Sequence, residues 1–420
     1  MLSLEDINLQ ICKYRVDKMT ISIPDMDTHN VNPMYISDFD ISKEYDDYLY
    51  PYFNMRLAVP NQIFRAMRKN NTNITAYVRI VYSLFDTSEI ANDSNRKCIN
   101  FLAENFVVFS KDNTPSMTEE FSELVEKEAP ESGDLGNSTS MEIMLIKKSA
   151  IALHDTIVNA IVTKTTLMNI LAYLLTRGGA SKVLCSPPDN KTVYDQFIIP
   201  PLRLDENIHH ICNDYNFHKD GTMLFFDFDT TYIIAKNAKC TAWRTNEYKS
   251  TKIIYNPPIN NAMISQGVYM DSKERVNYCT MAEATADTKS MVTDQVYGGN
   301  FKVIDNRTGE VKSAKSDAKY AQGSGKTNRT IIVNSGDSGV SDALVERVNE
   351  ETVMMRVAIS NVLLSMLTPN KEFELIFMSS KLSKYSGKYR LTSTYTIFRK
   401  TDGDWFTPST YACFFGKIKK

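Results

Sequence analysis

The chain has almost no net charge. Its 48 Lys and Arg against 50 Asp and Glu leave −2 at neutral pH. That balance excludes a whole-molecule field of the kind that gathers nucleic acid or anionic membrane, so a charged partner would need a local patch. None is conspicuous, and neither membrane binding nor sequence-specific nucleic-acid binding is expected. Long apolar runs are missing too. The stretches TIVNAIVTKTTLMNILAYLL and VMMRVAISNVLLSML are interrupted by Lys164 and by Arg356 and Asn361, well short of an uninterrupted membrane span. The opening MLSLEDINLQICKYR is charged within its first residues and lacks a signal-peptide core, so a soluble protein is expected. The seven cysteines (12, 98, 185, 212, 240, 279, 413) are odd in number, scattered and never spaced CxxC. They fit reduced, buried thiols better than a disulfide framework. Histidine is scarce, with five in all. His209 and Cys212 lie one helical turn apart with His218 nearby, but a zinc site needs three or four ligands and no second pair has matching spacing. His29 and His154 read as isolated. The serine-hydrolase elbow Gly-x-Ser-x-Gly is absent.

What is present is enough apolar material for large cores. A chain of 420 residues, 43% hydrophobic and 23% charged, suggests roughly two to four domains. The expected class is α+β, a β-rich multidomain chain with two β-barrel-like domains flanking an α/β region. In residues 1–115, MTISI and NITAYVRIVYSLF alternate, the second placing Ile74, Ala76, Val78, Ile80 and Tyr82 on one face. A short helix is expected after Pro60. Residues 116–140 are acidic, then rich in Gly, Ser and Pro, and read as a flexible linker. In 141–245, Leu167, Ile170, Leu171 and Leu174 have helical spacing stopped by Gly178 and Gly179. An extended Pro-Pro segment follows, then an amphipathic helix from about Asp205. Residues 246–420 return to strands (TKIIYN, FKVID, RTIIVN, VMMRVAIS, EFELIFM, KYRLTSTYTIF). They include a polar loop near 309–328 and a short helix at SDALVERVNEE capped by Ser341.

Three segments imitate chemistry. FFDFDTTYII (225–234) resembles the DxDxT opening of haloacid-dehalogenase-type phosphatases, with Asp227 or Asp229 as nucleophile. Gly336, Asp337 and Asp342 resemble the acidic magnesium motif of that superfamily. The plainer reading is a half-buried strand with Leu224, Phe226, Phe228, Tyr232 and Ile234 on one face and the two aspartates on the wet side. SDFDIS at 37–42 shows that DFD arises here without an apolar strand before it. After Ile234, KNAK suggests a turn into CTAWRT, a β-hairpin where a phosphatase needs a flap and a helix. AQGSGKT (321–327) imitates a phosphate-binding loop, but Tyr320 occupies the position that requires Gly. No catalytic residue, metal or cofactor is therefore assigned.

The segment QFIIPPLRLDENIHHICNDYNFHKDGTMLFFDFDTTYIIAKNAKCTAWRTNEY resembles the middle of baseplate or tail hub proteins of tailed bacteriophages. YPYFNMRLAVPNQIFRAMRKNNTNITAYVRIVYSLF, MVTDQVYGGN, LTPNKEFELIF and YSGKYRLTSTYTIFRK agree, so the likeness is spread over most of the chain. The resemblance implies a structural virion protein of the tail or baseplate. It further implies a homotrimer whose subunits each give two β-barrels to a central ring joining the tail tube to the central spike. Tube or distal tail protein, spike and other baseplate proteins would be its partners. The phosphatase and an unrelated multidomain binding protein remain as alternatives.

Overall fold

A computed structural model of the protein describes residues 9–45, 51–69, 73–86, 99–110, 138–180, 182–218, 222–227, 230–235, 250–256, 268–270, 274–286, 299–305, 309–316, 327–333, 351–364, 367, 369 and 372–418. Strands dominate them and helices are few. The first part supplies β1 (Leu9–Ser22), β2 (His29–Val31), β3 (Ile36–Glu44), β4 (Tyr52–Pro60), α1 (Asn61–Lys69), β5 (Thr75–Asp86), β6 (Ile99–Ser110) and β7 (Ser138–Lys147). The middle holds α2 (Lys148–Asp155), β8 (Ile157–Thr166), α3 (Leu167–Arg177), β9 (Val183–Cys185), β10 (Val193–Arg203), α4 (Leu204–Asp214), β11 (Thr222–Asp227) and β12 (Thr230–Ala235). Then come β13 (Ser250–Tyr255), β14 (Val268–Met270), β15 (Glu274–Ala286), β16 (Gly299–Asp305), β17 (Val311–Ser316) and β18 (Thr327–Val333). The last four strands are β19 (Glu351–Ser360), β20 (Glu372–Phe377), β21 (Gly387–Asp402) and β22 (Trp405–Ile418).

Alternation drives the strands as expected. Ile74, Ala76, Val78, Ile80 and Tyr82 are all buried, and β5 pairs with β1 from Gln10 to Ser22 across one bulge at Val16 and Lys18. What periodicity did not reveal is that strands from the two ends of the chain share one sheet, fourteen strands in all. The pairings close on themselves twice. One circuit runs β3, β4, β7, β6, β5, β1, β22, β21 and returns to β3. The other runs β13, β20, β21, β22, β19, β15 and returns to β13. The long hairpin β21–β22 belongs to both. Its tip meets β1 at Phe406 and Trp405, and its base meets β20 and β19.

One apolar core follows that hairpin through both circuits. Phe39 on β3 stacks on Phe398 of β21 at 4.2 Å, and Phe406 and Phe53 pack on it at 5.0 and 5.3 Å. Tyr14 is fully buried. Its hydroxyl accepts from the Leu364 N–H at 2.9 Å and donates to the Val362 carbonyl at 3.4 Å, tying β1 to the segment after β19. Burial also holds the Tyr14 phenol well above its usual range and pushes the Cys12 thiol up to about 12.

The middle region has a second core, built from α2, α3, α4 and the inner face of the β8–β10 pair. Thr166 caps α3 by accepting from the Asn169 N–H, and Leu167, Ile170, Leu171, Leu174 and Leu175 point inward. Gly178 ends the helix where a side chain would strike Leu153, and Gly179 takes the left-handed conformation. In β10 the register slips between Ile199 and Leu202, since Pro200 and Pro201 have no N–H for the ladder. Two expectations need correction. Val311–Ser316, read as part of a polar loop, is β17, which pairs with β16 because backbone pairing needs no apolar side chain. Ser138–Ser140, read as linker, opens β7, whose partners are β4 and β6, so residue 141 falls within a strand of the large sheet. The rest of that linker and CTAWRT lie outside the described residues, as does the helix at SDALVERVNEE except its last residue, Glu351, which opens β19.

Candidate functional site

The DFDTT segment is not one strand. It is a hairpin: β11 and β12 pair antiparallel from Thr222 with Ala235 to Asp227 with Thr230, leaving residues 228 and 229 as the connection. The chain thus reverses directly after Asp227, where the phosphatase arrangement requires a flap and a helix. Asp229, Gly336, Asp337, Asp342 and Tyr320 lie outside the described residues, as does all of AQGSGKT except Thr327, the first residue of β18.

Reversal also changes which side chains share a face. Met223 and Phe225 lie with Ile234 and Tyr232 in the larger core, whereas Leu224 and Phe226 lie with Ile233 in the smaller one. Phe225 stacks on Tyr232 at 4.8 Å and meets Tyr45 edge-on at 5.2 Å. The hairpin is therefore the layer between the two cores, wet on neither face along 223–226.

A buried polar group pins its open end. His218 is 1% exposed; Nε2 lies 2.9 Å from Ser186 Oγ and Nδ1 lies 3.1 Å from Thr222 Oγ1. Ser186 Oγ accepts from the Ala235 N–H at 3.1 Å, and the Ser186 N–H donates to the Ile233 carbonyl. Thr222 and Ala235 face each other across the hairpin, so both strand ends are held. The structure does not bring the histidine and cysteine candidates together: His209 is exposed on α4, Cys212 is buried beneath it, and among the described residues no group of three metal-binding side chains forms. His154, read as isolated, lies between Asp205 (Nδ1 to Oδ2, 3.1 Å) and Arg203 (Nη1 to Nε2, 2.8 Å). Arg203 also binds Glu206 at 3.0 Å, and its backbone N–H donates to the same carboxylate, which holds Glu206 below its usual range. A cavity of about 10 Å³ lined by Ile41, Tyr45, Leu364 and Thr396 has room for a water and no larger ligand.

Two apolar patches are exposed among the described residues. The register aligns Met281, Ala358, Tyr411, Tyr395, Ser42, Tyr52 and Ile146 in one uncharged row on the outer wall, crossing β15, β19, β22, β21, β3, β4 and β7. Tyr411, Tyr395, Tyr52 and Met281 in that row are exposed, at 45%, 39%, 38% and 46%. A second patch is the outer face of the β8–β10 pair. Ile161 and Ile198 are direct partners there, both about three-fifths exposed, with Ile157 and Val193 toward its two ends. Neither patch could be read from the sequence, because each depends on which strands are neighbours.

Over 95% of its length the chain shares the fold of the tail protein from Neisseria meningitidis MC58, 96% of which is covered, at 10% identity and a TM-score of 0.51. A chain of the half-lidded Francisella PdpA–VgrG complex is similar at 8% identity and a TM-score of 0.50, covering 97% of this chain and 58% of that one. The 43 kDa tail protein of prophage MuSo2 from Shewanella oneidensis matches at 9% identity and a TM-score of 0.47, covering 94% and 97%. No curated protein matches. The resemblance read from the sequence stands on a β-rich fold shared with a tail protein. Residues 10–407 match the family described as bacteriophage PBS1 gene 109 protein, and the chain belongs to that family.

Proposed function

We propose that this protein is a structural hub of a phage tail or baseplate, a homotrimer forming a central ring between the tail tube and the central spike. The observation that carries this reading is the pair of closed strand circuits sharing β21–β22, since one subunit then supplies two barrel-like units to a ring and three subunits supply six. Six such units around a three-fold axis are what an adaptor between six-fold and three-fold parts needs. In this reading the N-terminal and C-terminal β regions build the inner ring, with the region of about 141–245 at the periphery, and the protein resides in the virion. Its chemistry is assembly, with the buried hairpin β11–β12 as scaffold. Repetition around the ring multiplies a modest contact without new sequence.

Reconstruction of the tail tip of the purified particle tests this. A three-fold ring with the two circuits of each copy around the channel is expected. A six-fold or two-fold arrangement, or a channel lined by the 141–245 region, overturns it.

A further inference from the structure

The ring reading leaves open which surfaces join one copy to the next. A ring contact is heterologous: each chain must carry two unlike, mutually complementary patches. The tyrosine row and the β8–β10 face form such a pair, and we propose that the row of one copy seats the β8–β10 face of the next.

Chemistry and dimensions both favour the match. The row is uncharged throughout. The β8–β10 face presents Ile157, Asn159, Ile161 and Thr163 on one strand and Gln196 and Ile198 on the other, all exposed and uncharged. Charged Lys164 and Asp195 stand toward one end, and Arg203, the partner of Ile157, stands at the other. Tyr and Met on one side against Ile on the other, with charge kept to the rim, is the composition of an interface centre. Within the row, small Ser42 stands half-buried beside the Tyr411–Tyr395 pair, whereas Ala358 on the other side is covered. The facing pair Ile161 and Ile198 supplies branched side chains of a size to pack beside the tyrosine ridge at Ser42. Measured along the wall, the row crosses six strand spacings, roughly 29 Å; the β8–β10 face extends over nine residue steps, roughly 30 Å. The footprint, roughly 30 Å by 10 Å, is small beside the ~800 Å² that each partner of a standard interface buries. A single pair of copies is thus weakly held, and closure of the ring supplies the persistence.

The test uses the full chain with Tyr395→Cys in one preparation and Ile198→Cys in another, mixed at rising concentration and treated with a short bis-maleimide, with the unsubstituted chain as blank. Cys12, Cys212 and Cys279 are buried, whereas Cys185 and Cys413 are partly exposed, so each yield is counted above that of the unsubstituted chain. The expected result is a Tyr395→Cys/Ile198→Cys heterodimer several-fold more abundant than either homodimer, and its loss when Ile161→Lys is added. Both substituted positions are solvent-exposed, so unchanged thermal unfolding is the check on folding. A heterodimer yield no higher than the homodimer yields overturns the proposal, whether because one homodimer dominates, as in a two-fold contact, or because nothing couples. A three-fold ring lacking this pairing in the particle overturns the contact and leaves the hub reading intact; absence of the chain from the tail overturns the hub reading itself.

Discussion

Gly416 offers a sharp test of how β21 and β22 are packed. A Cβ built on it would stand 2.4 Å from both Cδ1 and Cε1 of Tyr389, whereas ordinary contact begins near 3.4 Å, so Gly416→Ala requires the ring to retreat by about 1 Å. The ring has little freedom to do so. Tyr389 is 5% exposed and its hydroxyl donates to the Tyr385 carbonyl at 2.7 Å. Overpacking of this kind costs about 1–3 kcal/mol, and loss of the hydrogen bond adds about 1 kcal/mol, so a loss of about 2–4 kcal/mol is expected. The assay is urea unfolding of the single variant, of Tyr389→Leu and of the double variant. Because the strain resides in one pair, Gly416→Ala should cost far less once the ring is gone, giving a coupling energy of about 1–3 kcal/mol. A cost below about 0.5 kcal/mol, or the same cost in both backgrounds, refutes the reasoning.

Three further outcomes are expected. Tyr14→Phe leaves the buried Leu364 N–H without its acceptor and should destabilise by about 1–3 kcal/mol, read by the same unfolding assay. His218→Ala removes the link between Ser186 and Thr222, so amides of 222–235 should exchange faster while those of β1 and β5 keep their protection. Purified protein should show no magnesium-dependent hydrolysis of a generic phosphate ester; turnover abolished by Asp227→Asn with the fold intact would show that the hairpin had been misread.

Local elements were legible in the sequence where one face of a strand or helix carries the signal. Helix α3, with Leu167, Ile170, Leu171 and Leu174 inward and Gly178 at its end, and the alternating β5 are of this kind. The β11–β12 hairpin was misread because apolar letters occupy both faces. A two-residue connection flips the alternation, so Leu224 pairs with Ile233 where an unbroken strand would align it with Ile234. Strand β17, with its Lys-Ser-Ala-Lys core, is defined by the ladder to β16 and has no apolar period to find. The two circuits and both exposed patches are properties of neighbouring strands, which no local pattern encodes. Of the tempting sites, His218 was visible as a residue, but its partners Ser186 and Thr222 were not.

The hairpin shared by the two circuits sets an order of events during synthesis. Neither circuit can close before β22 has been made: β1 waits for Phe406, and β3 waits for the 393–399 stretch of β21. Until then the nascent chain holds β1 and β3 as open edges, able to pair with any other strand, and Tyr14 has no Leu364 to meet some 350 residues later. Completion of the subunit is therefore a late, nearly simultaneous step for both halves. A chain stopped short of β21 would leave both circuits open rather than one closed and one missing.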